Sequence, residues 1–146
     1  MHVILGSDHG GFSMKEKVKG WLAAQGVEID DVGAYSLVPD DDYVDYAREA
    51  VKHTQGSEDR VVLFCKNGFG MSITANRFAG VRCGLAFDKE AVRKGRVDDD
   101  INCLAVPALY ISDEQAIEMI KVFLSEEFSN EEKYQRRIRK LENINQ

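Results

Sequence analysis

Val61-Val62-Leu63-Phe64-Cys65-Lys66-Asn67-Gly68-Phe69-Gly70-Met71-Ser72 is the stretch that decides the fold. The four residues Val61 to Phe64 are uniformly apolar, without the alternation of a strand that has one wet face. Such a run is a strand covered on both sides, the mark of a parallel sheet between helices. Lys66 to Gly70 then makes a glycine-rich turn, and Met71 to Arg77 a helix.

The same grammar extends in both directions. Upstream, His2 to Gly6 is a short apolar strand that stops at Ser7-Asp8-His9-Gly10-Gly11. Phe12, Val18, Trp21 and Leu22 recur at helical spacing, and Gly26 suits the C′ position of that helix. Val27 to Val32 is a second strand, stopped by Gly33, and a helix follows near Asp42 to His53. Downstream come a strand at Val81 to Phe87, a short helix at Asp88 to Lys94 and a fifth strand at Ile101 to Val106. Ser112 with Gln115 forms a capping box that opens a helix through Leu124. A charged helix runs from about residue 130 to 142. Strands alternating with helices imply right-handed βαβ units: an α/β fold with a five-stranded parallel sheet and helices on both faces.

The 146 residues suit one domain, spanning 1–146. Acidic residues outnumber basic ones, 25 to 19, for a formal charge of −6. That balance excludes coating of nucleic acid or of anionic membrane through bulk charge, while leaving room for a local anion site. No apolar run approaches the roughly 20 residues that span a bilayer, and no signal-peptide pattern is visible. Cys65, Cys83 and Cys103 are odd in number and widely spaced, which is neither a disulfide framework nor a zinc site. A reducing, cytoplasmic setting fits them.

Ligands of open α/β sheets sit beyond the carboxyl ends of the strands, so chemistry is expected in the loops that start at Ser7, Gly33, Cys65, Phe87 and Val106. In the first loop, Asp8 either caps the following helix or serves a site together with His9. In the third, Gly68 and Gly70 allow backbone N–H groups to form an anion-binding nest. Cys65 beside those groups and Lys66 is expected to have a depressed pKa; the other reading is a small buried hydrophobe. Cys83 and Cys103 lie within strands and fit the second reading. Asp98-Asp99-Asp100 and Asp40-Asp41-Asp42 are better explained as caps or solvated acids than as metal ligands. Lys133, Arg136, Arg137, Arg139 and Lys140 put five positive charges on the last helix. They form either a solvated face or, through the arginine forks, a phosphate contact. The glycine spacing matches neither a P-loop nor a dinucleotide fingerprint.

Taken in order, GSDHGGF (6–12), GAYS (33–36), DYVDYA (42–47), CKNGFGMSITANRFAGVRCGL (65–85), DDINCLAV (99–106) and YQRRIRKL (134–141) resemble the ribose-5-phosphate isomerase type B family, which includes the galactose-6-phosphate isomerase subunits. The resemblance runs nearly end to end. It implies a three-layer, Rossmann-like fold and a metal-free, cofactor-free aldose–ketose isomerase that moves a proton through a cis-enediolate of a small phosphorylated sugar. Cys65 matches the family's base. Asn67, Gly68, Phe69, Gly70, Met71 and Ser72 match the backbone hole for the enediolate oxygens. Asp8 matches an acid on the substrate hydroxyls and His9 a phosphate contact. Lys133 and Arg137, next to Arg136, fall where the family has phosphate-binding arginines. The resemblance further implies a homodimer, with dimers commonly paired, whose sites are built from both subunits and include the C-terminal helix.

The departures from the family pattern are specific. Asp98 replaces the histidine credited with opening the furanose ring, and Asp99 replaces an asparagine. Lys66-Asn67-Gly68 replaces a GTG turn, and Leu109 an arginine. Glu131 and Glu132 replace glycines, and Tyr134 a histidine. One consequence is a substrate that needs no ring opening, since a four-carbon sugar 4-phosphate has its O4 blocked. The other is that Asp98 is itself the ring-opening base. A third reading is a family member with weakened catalysis that binds a sugar phosphate as a sensor.

Overall fold

A computed structural model describes residues 1–144. Five parallel strands, β1 (His2–Ser7), β2 (Glu28–Asp31), β3 (Arg60–Cys65), β4 (Cys83–Leu85) and β5 (Cys103–Pro107), form one sheet in the order β2-β1-β3-β5-β4. Six helices accompany them: α1 (Phe12–Ala24), α2 (Tyr43–Lys52), α3 (Phe69–Ala75), α4 (Lys89–Asp99), α5 (Asp113–Ser125) and α6 (Glu132–Glu142). This is the expected three-layer α/β architecture.

The uniformly apolar β3 is buried along its whole length because each face meets a different layer. Val62 and Phe64 join Val3, Leu5, Leu104 and Val106 under α1 and α5, against Val18, Leu22, Ile120 and Phe123. Val61, Leu63 and Cys65 turn the other way, with Ile4, Cys103 and Ala105, and meet Ala47, Ala50, Met71 and Ala75 of α2 and α3. Period-2 alternation thus sorts adjacent residues into two cores, and it points Cys65 toward the α2/α3 layer.

Local signals hold where expected. Gly26 completes a Schellman motif, its N–H bonding to Ala23 O and the Val27 N–H to Leu22 O. Ser112 and Gln115 form the reciprocal capping box. Most boundaries shift by one or two residues, α3 starting at Phe69 and β5 at Cys103, and two elements differ more. β4 is only three residues long, and α4 continues well past Lys94 to Asp99. The longer helix is held by Arg96, 2% exposed, whose guanidinium bonds Asp100 Oδ1 and the Ile101 and Glu126 carbonyls.

One buried charge was not visible in the sequence pattern. Lys15 on α1 is fully buried, and its Nζ donates to both carboxylate oxygens of Asp31 at 2.6 and 2.8 Å. Asp31 Oδ1 also accepts the Gly33 N–H. Gly33 O in turn accepts the Ser7 N–H, and Ser7 O the Ala34 N–H. The ion pair therefore anchors the loop beside the end of β1.

Candidate active site

The strand order changes direction between β1 and β3, since β2 lies beyond β1 and β5 beyond β3. Their carboxyl ends flank the crevice where an open α/β sheet takes a ligand. Those ends are Ser7-Asp8 and Cys65-Lys66, and they are tightly joined. Asp8 N–H donates to Phe64 O. A Cβ on Gly11 would lie 2.3–2.4 Å from the Phe64 backbone and Cβ, so only glycine allows α1 to start so close to β3.

Cys65 is 4% exposed. The turn after it is set by Gly68 at φ 76°, the left-handed region, where a Cβ would also meet Leu85 Cδ1 at 2.4 Å. This conformation turns the Gly68 N–H onto Cys65 Sγ at 3.1 Å. The expected depressed thiol is corrected here. Burial is the largest influence and pushes the Cys65 pKa up, with help from the nearby Asp8 charge, while the N–H groups of Gly68, Met71 and Asn67 pull it down. The Gly68 N–H bonds the sulfur, yet desolvation wins.

Asp8 is 6% exposed. Its Oδ1 accepts the N–H groups of Gly10 and Gly11 at 2.9 and 3.2 Å. Asp8 thus shapes the entry to α1 and lies at the mouth of the crevice. Burial raises its pKa above the ordinary carboxylate value against the pull of those N–H groups and of His9. His9 is half-exposed beside it, hydrogen-bonded through Nδ1 to Asp41 at 2.7 Å. Asp41 is a site-wall residue that sequence reasoning missed. Polar atoms of Asp8, His9 and Asp41 lie within 4.8 Å of one another. Since Asp8 Oδ1, His9 Nδ1 and Asp41 Oδ1 are already engaged in these bonds, the group is a hydrogen-bonded constellation. Tyr43 closes another wall, its ring packed over Gly70 so that a Cβ there would fall 2.6 Å from it.

The remaining expected site residues lie elsewhere. Cys65 pairs with Pro107 at one end of β5, and Val61 with Cys103 at the other. Those four residue steps span about 13 Å. Asp98 and Asp99 end α4 just before β5 begins, so they sit at the amino end of the sheet, opposite Cys65. Asp100 is taken up structurally, bridging Arg82 and Arg96 at 2.8 and 2.7 Å. Helix α6 buries none of its residues. Asp99 and Arg137 share a depression of about 300 Å³ with Arg82, Ile138 and Leu141. Lys133 pairs with Glu131 and its ammonium lies 4.5 Å from the Tyr134 ring centroid, while Arg136 is exposed. One chain thus brings together Asp8, His9, Cys65 and residues 67–72, and separately places Asp99 beside Arg137 of α6, with Asp98 next to Asp99 at the end of α4. No helix among the described residues is long and apolar enough to cross a membrane.

The sequence and the fold are similar to those of known isomerases. The family model described as ribose/galactose isomerase matches residues 3–141. The chain is 35% identical over 130 residues to 4-deoxy-4-sulfo-D-erythrose isomerase of a Clostridium species, covering 88% of this chain and 82% of that protein. It superposes on the crystal structure of a ribose 5-phosphate isomerase from Thermotoga maritima with a TM-score of 0.93 and 38% identity, covering 98% of each chain. With ribose-5-phosphate isomerase B from Mycoplasma genitalium, solved with bound ribulose-5-phosphate, the TM-score is 0.88 at 26% identity, over 97% of this chain and 94% of that one. The strand order, the cysteine turn at the switch point and the match over nearly the whole length lead to one assignment: the chain belongs to the ribose/galactose isomerase family of sugar-phosphate isomerases.

Proposed function

We propose that the chain interconverts an aldose and a ketose phosphate by proton transfer at Cys65. The observation that carries this is the pairing, at the β1–β3 switch point, of a buried cysteine with a glycine turn whose Gly68 N–H donates to its sulfur. Cys65 takes the proton from C2 of the open-chain aldose and returns it to C1. Backbone N–H groups within residues 67–72 hold the enediolate oxygens, so that developing charge meets preorganised donors. Asp8 bonds a substrate hydroxyl and relays the hydroxyl proton. His9 contacts the anionic end of the sugar.

Asp98, Asp99, Lys133, Arg136 and Arg137 serve the site of a second copy. Their distance from Cys65 within one chain supports a homodimer with two composite sites. The three free cysteines suit a reducing, cytoplasmic setting.

Four-carbon aldoses with a terminal anion are the substrates this reading favours. Asp98 stands where the family resemblance places the ring-opening histidine, and the Clostridium relative is named for a four-carbon sugar with a sulfonate at C4. Such a sugar cannot close a furanose. The test is solvent deuterium exchange into tetrose, pentose and hexose phosphates, with Cys65→Ala as control. Exchange into D-erythrose 4-phosphate that is lost in Cys65→Ala is expected. Absence of exchange with every sugar would favour the sensor reading, and exchange surviving Cys65→Ala would remove the base.

A further inference from the structure

Asp41 precedes α2 in an acidic run and has no part in the chemistry above. Its Oδ1 accepts the His9 backbone N–H at 3.0 Å and lies 2.7 Å from the Nδ1 of the same residue's ring. Its side chain is only 7% exposed, and Oδ2 is buried without a hydrogen-bond partner. Burial alone would raise its pKa, but the His9 N–H and ring and the neighbouring Tyr46 hydroxyl outweigh that and hold it below the ordinary carboxylate value.

An ionised carboxylate only accepts hydrogen bonds. The proton between Asp41 and His9 therefore resides on Nδ1, whether the ring is neutral or cationic. Nε2 takes no hydrogen bond among the described residues, and it is the ring atom left for a ligand. Because the second Asp41 bond goes to the His9 backbone, the carboxylate fixes both the path of the chain and the plane of the ring.

We propose that Asp41 is a positioning residue for the isomerisation, locking His9 in its Nδ1–H form so that Nε2 faces the substrate. This rests on the reading of His9 as the contact to the anionic end of the sugar. Asp41 acts on binding through His9, as the carboxylate partners of ligand histidines act at other sites by setting tautomer and orientation.

The test combines ring spectroscopy with a double-mutant cycle. In the unliganded protein, nitrogen chemical shifts of neutral His9 should show the proton on Nδ1, and Asp41→Ala should lose that signature. With D-erythrose 4-phosphate and D-ribose 5-phosphate both assayed, Asp41→Ala should raise KM about 10-fold and change kcat less than twofold. Asp41→Asn keeps one acceptor oxygen and should recover most of the loss. In a His9→Ala background, Asp41→Ala should have no further effect on KM. A wild-type ring protonated on Nε2, or an Asp41 effect that persists in full without His9, overturns the proposal. An unchanged KM in His9→Ala would overturn the reading of His9 as a substrate contact, while the ring spectrum would still decide whether Asp41 holds it.

Discussion

Gly68 donates its backbone N–H to Cys65 Sγ across 3.1 Å, and the two residues depend on each other. The bond requires Gly68 to stay in the left-handed region at φ 76°. The sulfur in turn needs that donor, because burial opposes its ionisation.

Replacing Gly68 tests this dependence. Gly68→Ala places a Cβ in a conformation that costs about 1–2 kcal/mol for an L residue, and the same Cβ would lie 2.4 Å from Leu85 Cδ1. The denaturation midpoint should fall. Catalysis should fall further than stability explains, because a shifted turn moves its N–H away from Cys65. Equal kcat for wild type and variant under conditions where both are folded would refute the coupling.

The thiol sets a pH dependence. A base must be ionised before it takes a proton, and burial lifts the Cys65 pKa above its ordinary value. The kcat/KM of the enzyme should therefore climb with pH through the neutral range and level off only on the alkaline side. Folding stability should run the other way. Since ionisation is harder in the folded chain, stability is full below the ordinary thiol pKa and declines as pH rises toward and through the raised folded value. Cys65→Ser should lower kcat by about 10³-fold, within the usual contribution of a general base. A kcat/KM profile flat from pH 6 to 9 would contradict the assignment.

The ion pair behind the site gives a stability prediction with an internal control. Asp31→Asn leaves the fully buried Lys15 ammonium without its main partner. Removing one member of a buried pair costs about 3–5 kcal/mol, and the loss should lie at the lower end because Glu16 remains 2.9 Å from Lys15 Nζ. Lys15→Met fills the same space without a charge and should cost less, because Asp31 keeps Lys19. Burial would raise the Asp31 pKa, but its bonds from Lys15 and Lys19 hold it below the ordinary 3.8. Its contribution is thus present above that value and is lost as pH falls through the lowered folded value. Urea titrations of both variants at pH 7 and pH 3 would check the order and the sign.

Residues whose roles depend on their own strand or turn were legible in the chain. The apolar run before Cys65 announced a central strand, and glycines after β1 and β3 announced loops that approach closely. What stayed hidden depends on partners distant in sequence. Lys15 looks like any helix-surface lysine until β2 brings Asp31 against it. Asp41 cannot be told from Asp40 or Asp42 by composition, and only the approach of His9 distinguishes it. The three acids before β5 divide in the same way: Asp100 is held by Arg82 and Arg96, and Asp98 and Asp99 are left on the end of α4. The direction of the Cys65 pKa is hidden for the same reason, because spacing displays the turn after the cysteine but not the depth of its sulfur.

That division makes the last prediction specific to one aspartate. Asp98 ends α4 at the amino end of the sheet, outside the Arg82–Asp100–Arg96 network, so changing it should leave the fold intact. If the lack of a ring-opening histidine limits the chain to open-chain sugars, Asp98→His should raise kcat with D-ribose 5-phosphate, by roughly 10-fold if general acid–base help at the low end of its usual range is partly restored. Turnover of D-erythrose 4-phosphate should change less than twofold. If Asp98 is itself the ring-opening base, Asp98→Asn should slow D-ribose 5-phosphate and spare the tetrose. Equal effects of both substitutions on both sugars would show that the position does not discriminate ring from open chain. Asp100→Ala is the structural counterpart: it strips the carboxylate from two arginines, one of them 2% exposed, and should lower stability and turnover of every sugar together.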